Sequence, residues 1–299
     1  KQIENAMSGY SDSIKIRDVD EDFRRRGFKC LDKQENVGAH KYNHGHALVL
    51  GGSAGFTGAG RLVARGALRV GAGLVTLGCP HTAIAENAAQ LTSVMLMAVE
   101  DGMALATKLE NTRIAALCLG PGFGVERAGE MLSVVLEAPR PTVLDADALS
   151  ALALDATLFD MLHSDCILAP HGGEFARLFP DIAAKSSAAS KVEDTLEASS
   201  RAGCIVLYKG VDTVIADPSG NVAVHFAKGA RAAPWLATAG SGDVLAGFIT
   251  GLLARGFDAM QAAETGAWLH VECALKFGAG LIAEDLPEQL PKVFADLGL

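Results

Sequence analysis

From His46 onward, short apolar runs alternate with stretches of helical periodicity, and this alternation limits the possible folds more than any other feature. The runs cover residues 47–50, 74–77, 114–119, 142–144, 166–168 and 205–208. A strand apolar along its whole length is buried on both faces, as in a parallel sheet sandwiched between helices. Residues 59–70, 127–136, 175–178 and 195–201 supply helical patterns between the runs. Segments 211–216 and 222–226 flank Asp217, Pro218, Ser219 and Gly220, a turn-forming group that predicts an antiparallel hairpin. The last third reads as helices over 243–254, 259–276 and a segment to Leu299. The expected fold is therefore α/β: a three-layer α/β/α sandwich with a mostly parallel central sheet and a small β-hairpin insertion. Residues 40–299 read as one domain and residues 1–39 as an N-terminal extension.

With 299 residues, 49% of them hydrophobic, the chain can bury roughly 75% of its unfolded surface. A net charge of −9 argues against nucleic acid or an anionic membrane as partner, and no apolar run is long enough to span a bilayer. The six cysteines (Cys30, Cys79, Cys118, Cys166, Cys204, Cys273) form no C-x-x-C pair, several lie in apolar runs, and they read as reduced cysteines of a cytoplasmic protein.

Chemistry concentrates in the loops. Gly240, Ser241 and Gly242 open an amphipathic helix that carries Asp243 in its first turn, with Leu245, Phe248, Ile249, Leu252 and Leu253 on the buried face. Small residues at a helix start let backbone N–H groups converge on an anion, which the helix dipole also favours. A carboxylate there repels a phosphate, but as a base it can take the proton from a hydroxyl attacking that phosphate. Four glycine loops follow apolar strands: residues 51–59, 120–124, 170–174 (with His171) and 209–213 (with Lys209). Loops at the carboxyl ends of parallel strands are where such sheets bind ligands. His171 can cap the next helix or meet a ligand; Asp145 and Asp147 can orient substrate, meet a hydrated Mg²⁺ or cap a helix. His44 and His46 lack an evident third metal ligand. Together these features describe a phosphoryl-transfer cleft.

Six segments carry a family resemblance: GHALVLGGSAGFTGAGRLVARGALRVGAGLVTL from Gly45, LGPGFG from Leu119, LDADAL from Leu144, APHGGEFARLF from Ala169, LYKGVDTVIADPSG from Leu207 and LATAGSGDVLAGFITGLLARG from Leu236. In this order they resemble the ADP-dependent (S)-NAD(P)H-hydrate dehydratases, ribokinase-like enzymes that repair hydrated nicotinamide cofactors. The resemblance implies that Ala59, Gly122, His171 and Asp243 contact the hydrated dinucleotide, with Asp243 as the catalytic base. It implies that Lys209, Gly210, Val211, Asp212, Thr213, Gly240, Ser241 and Gly242 bind the adenine nucleotide. It also implies ADP as co-substrate, Mg²⁺ bridging nucleotide oxygens without a dedicated protein site, and a homo-oligomer, expected as a homotetramer. The family has one more glycine where this chain has Ala239. Residues before His40 match poorly and look too short for the epimerase domain of some relatives, so dehydration of one epimer is the expected activity. The residues themselves leave open a kinase of a small vitamin-precursor alcohol, or a non-catalytic nucleotide-binding protein of the same fold.

Overall fold

The computed structural model describes residues 16–33, 40–185 and 191–299. Ten strands form one sheet: β1 (Ile16–Asp18), β2 (His46–Leu50), β3 (Leu74–Cys79), β4 (Met95–Ala98), β5 (Ile114–Leu119), β6 (Thr142–Leu144), β7 (Cys166–Leu168), β8 (Ile205–Tyr208), β9 (Asp212–Ala216) and β10 (Val222–Phe226). Their order across the sheet is β1-β10-β9-β8-β7-β6-β5-β2-β3-β4. Pairing is parallel except where β9 runs against β8 and β10.

The pleat of β2 explains the three layers. Ala47 and Val49 point into one apolar core, Leu48 and Leu50 into another on the opposite face. The first core is closed by α2 (Gly58–Arg69), α11 (Ser241–Ala254), α12 (Ala259–Phe277) and α13 (Asp285–Asp296). The second is closed by α4 (Gly102–Leu109), α5 (Val125–Glu137), α6 (Asp147–Leu154), α8 (Gly172–Leu178) and α10 (Lys191–Ala202). Helices α1 (Val19–Arg26), α3 (His81–Ala88), α7 (Ala156–Phe159) and α9 (Pro180–Lys185) complete the described set.

Two features of the sheet's edges extend the sequence-based expectation. The expected antiparallel hairpin is present as β9 and β10, and because β9 folds back onto β8 it prolongs the main sheet. Residues 16–18 of the N-terminal extension then pair with β10 as β1, and Arg17 binds Glu264 of α12. Residues 1–15 and 34–39 of that extension lie outside the described residues.

Two features place the site. The chain runs outward through β2, β3 and β4, then returns with β5 on the other side of β2 and continues through β6, β7 and β8. Loops therefore diverge between β2 and β5, opening a crevice at their carboxyl ends. Helix α11 runs under this crevice, very close to α2: a Cβ on Gly247 would lie 2.3 Å from the Val63 carbonyl oxygen, and one on Gly251 2.5 Å from that of Ala67.

Candidate active site

One side of the crevice is built from backbone. After β2 and β5, the two glycine loops touch directly. A Cβ on Gly52 would lie 2.1 Å from the Gly122 carbonyl oxygen and 2.6 Å from that of Phe56. Gly122 is left-handed (φ +61°), and a Cβ there would sit 3.0 Å from Ala59 Cβ. Ala59 and Gly122, both expected at the acceptor, are thus brought together. The Glu86 carboxylate holds the first loop by accepting from Gly55 N–H at 2.8 Å and Thr57 Oγ1 at 2.5 Å.

The other side is built from charge. Lys209, just after β8, donates to Asp145 Oδ1 at 2.7 Å and lies 3.8 Å from Glu174 Oε2. All three are largely buried. Burial works to lower the Lys209 ammonium, but Asp145 and Glu174 overcome it and raise it. Burial raises the Asp145 carboxyl against the pull of Lys209. A Cβ on Gly242 would be 3.6 Å from Lys209 Nζ, which puts the start of α11 against this cluster. Asp243, in that first turn, is pushed up to about 6, by burial first and then by Asp145, with Lys209 opposing. A carboxylate poised there is charged at neutral pH yet basic enough to accept a proton. Gly240 begins the helix in the left-handed region (φ +85°), where a Cβ would collide with Leu62 and Ala283.

Asp147 is the first residue of α6 rather than its cap, and it accepts from Gly124 N–H at 2.8 Å, tying the β5 loop to that helix. Between the two aspartates, Ala146 has φ +49°, the one positive-φ residue other than glycine among the described residues. Close by, a Cβ on Gly120 would lie 1.7 Å from the Asp145 carbonyl oxygen. His171 caps α8, its Nδ1 accepting from Gly173 N–H at 3.0 Å while Glu174 accepts from His171 N–H at 2.8 Å. Its ring is more than half exposed above the charged cluster. His46 bonds Thr76 Oγ1 at 2.8 Å inside the fold, whereas His44 ends a 3-10 turn, so the two do not share a strand.

A cavity of about 470 Å³ opens between the β8–β9 turn and α11. Lys209, Gly210, Val211, Thr213, Ser241 and Gly242, six of the eight residues expected at the nucleotide, line it together. Asp212 turns its carboxylate to Lys228 instead. Gly240 packs on Leu62 and Ala283. The rest of the lining is largely apolar, including Leu236, Leu245 and Val271, which suits a flat heteroaromatic base. His225 and His270 also face it, unmarked in the sequence because no motif surrounds them. Burial lowers both, to about 3 and about 4, and His270 Nε2 meets the Ser241 carbonyl at 2.8 Å. Among the described residues, no cluster of three or more His, Cys, Asp or Glu side chains is arranged to hold a metal.

Comparison with known proteins places this geometry. A family model for NAD(P)H-hydrate dehydratase (Carb_kinase) matches residues 47–294. The ADP-dependent (S)-NAD(P)H-hydrate dehydratase of Neisseria meningitidis is 34% identical over 263 residues, 86% of each chain. The bifunctional NAD(P)H-hydrate repair enzyme Nnr of Moorella thermoacetica is 38% identical over 288 residues, 89% of this chain and 52% of the relative. The chain thus spans about half the length of such bifunctional relatives. In three dimensions, the ADP/ATP-dependent NAD(P)H-hydrate dehydratase of Bacillus subtilis, co-crystallised with ATP and Mg²⁺, has the same fold: TM-score 0.74 at 24% identity, covering 96% of this chain and all of that one. A ribokinase-like superfamily protein from Enterococcus faecalis gives 0.77 at 20% identity, covering 96% and 98%.

Proposed function

The chain belongs to the NAD(P)H-hydrate dehydratase family, and from that premise we propose that it dehydrates the S epimer of NAD(P)H hydrate at the expense of ADP. The observation that carries this reading is the placement of Asp243 on a glycine-led helix start, against the Lys209–Asp145–Glu174 cluster and at the carboxyl edge of the sheet. Ala59 and Gly122 form the floor for the hydrated nicotinamide, with His171 at its rim. The cavity lined by Lys209, Gly210, Val211, Thr213, Ser241 and Gly242 takes ADP; Asp212 and Gly240 shape the two ends of that site.

Asp243 removes the proton from the C6 hydroxyl as its oxygen attacks the β-phosphorus of ADP. A new O–P bond forms, the bond to the bridging oxygen breaks, and AMP leaves. Backbone N–H groups of residues 240–243 and the Lys209 ammonium stabilise the charge on the transferring phosphoryl. The ring nitrogen's lone pair then expels phosphate from C6, and loss of the C5 proton restores the double bond. The balance is hydrate plus ADP to NAD(P)H, AMP and phosphate. Mg²⁺ fits only as a passenger of the nucleotide, since Asp145 and Glu174 are committed to Lys209; bound to phosphate oxygens, it would neutralise their charge. The same reading places the enzyme in the cytoplasm as a homotetramer, which light scattering on the purified protein tests.

The decisive assay supplies S hydrate with ADP or ATP and follows both reduced-nicotinamide absorbance and phosphate. Recovery of absorbance with stoichiometric phosphate supports dehydration. A stable phosphorylated alcohol from a vitamin precursor, with no recovery from the hydrate, would instead identify a kinase.

A further inference from the structure

Lys191 opens α10, well before the nucleotide loop in the chain, yet its ammonium lies beneath that loop. Nζ donates to the Lys209 carbonyl at 3.1 Å and to the Asp212 carbonyl at 2.5 Å. It also sits 4.3 Å from the centre of the Tyr208 ring. A Cβ on Gly210 would come within 2.6 Å of it, so the turn from β8 to β9 is wrapped around the ammonium. The opposite side of the same turn, through Lys209, Gly210, Val211 and Thr213, lines the cavity assigned to ADP.

We propose that Lys191 is a positioning residue for the nucleotide: a clamp that gathers the carbonyls at both ends of the turn and so fixes how Lys209 and Gly210 meet the phosphates. This rests on reading the cavity as the ADP site. Turn carbonyls outside the ladder need partners, and a single ammonium can serve several. Joining the first and fourth residues of the turn leaves it little freedom to lose when ADP binds. A positive charge directly behind the loop also favours an anionic ligand in front of it.

The charge itself is not explained by stability. Burial lowers the Lys191 ammonium to about 8, with Asp212 opposing and Lys228 assisting. Other ionisable groups near it are Lys209 in the loop, Asp194 one turn along α10, and Tyr208, whose own hydroxyl is raised by burial and by Asp194. A lysine whose pKa is lowered on folding binds fewer protons in the native state, so its ionised form opposes folding below about pH 8.

Calorimetric titration of ADP into the wild type, Lys191→Met and Lys191→Gln tests the clamp. Lys191→Met should weaken ADP about 10-fold, the scale of a lost charge-assisted hydrogen bond. Lys191→Gln, with an amide of similar reach, should fall between. KM for ADP should rise accordingly, while KM for the hydrate stays constant and kcat at saturating ADP changes far less. Above about pH 8, wild-type affinity should fall toward that of Lys191→Met, which should show no such decline. If both variants bind ADP like the wild type, the clamp is wrong. Equal weakening of ADP and hydrate would mark a merely structural residue and also overturn it. Absence of ADP binding by the wild type would instead remove the nucleotide-site assignment, and the clamp with it.

Discussion

The two sides of the crevice are made from different materials. Around Gly52, Gly122 and Ala59 the surface is backbone and small side chains, held by contacts too close for a Cβ. Around Lys209 it is three ionisable groups, Lys209, Asp145 and Glu174, buried together and close to Asp243. The first arrangement recognises shape, because nothing in it titrates in the neutral range. The second sets protonation: Asp243 owes its raised pKa to burial and to Asp145, and Lys209 limits the rise. On the proposed reading, substrate fit and proton transfer are therefore controlled from separate regions, and variants should be able to separate them.

The largest effect should come from the charged side. Asp243→Asn removes the base while keeping the shape of the helix start. Turnover should fall by about 10²–10⁴-fold, the usual contribution of a general base, with ADP affinity retained or improved because a like charge is lost. Normal turnover in this variant would show that the proton goes elsewhere. On the backbone side, Gly52→Ala forces a Cβ against two carbonyl oxygens. It should cost ~2 kcal/mol or more in stability, lower the melting temperature by several degrees, and raise KM for the hydrate more than KM for ADP. A fall confined to kcat, with both KM values intact, would contradict the division between the two sides.

The pH profile sharpens the same division. Asp243 must be ionised to act, so kcat at saturating ADP should fall as pH drops through about 6. Asp145→Asn removes a like charge that raises Asp243, while Lys209, still near Glu174, keeps lowering it. The acid limb should therefore move to lower pH, with a smaller maximal rate because the base is weaker. Gly52→Ala should leave that limb where it is. An unchanged limb in Asp145→Asn would mean that the Asp145 charge does not help to set Asp243.

What was legible in the sequence follows the same lines. The apolar runs of β2 and β5 announced themselves because both faces are buried, and α11 did so through its glycine-led start and apolar length. Strand β4 was missed: its four residues, Met95–Ala98, lie at the sheet's edge, half of them exposed, and have no alternation to read. Strand β1 has three residues and makes sense only once β10 is there to receive it. In the site, Asp243, Lys209 and the glycine loops stood in recognisable local patterns. The pairing of Asp145 with Lys209 did not, because the two follow β6 and β8 and are brought together across the intervening β7 by the sheet order. Lys191 and His270 sit on helices without any surrounding motif, and only tertiary packing gives them a neighbour at the nucleotide cavity.

The smallest expected effect lies at the seam between the two sides. Ala239 stands where the family resemblance implies another glycine, next to Gly240, whose left-handed backbone does require glycine. Ala239 is exposed and is not a positive-φ residue, so its Cβ imposes no strain and fills no space needed by the loop. The N–H groups proposed to bind the anion belong to residues 240–243, which keep their glycines. Ala239→Gly should thus change turnover by less than about twofold and cost ~0.5–1 kcal/mol of stability, through the larger chain entropy that glycine loses on folding. A severalfold gain in kcat would show that freedom at this position limits closure of the loop on phosphate, and that the seam belongs to neither side alone.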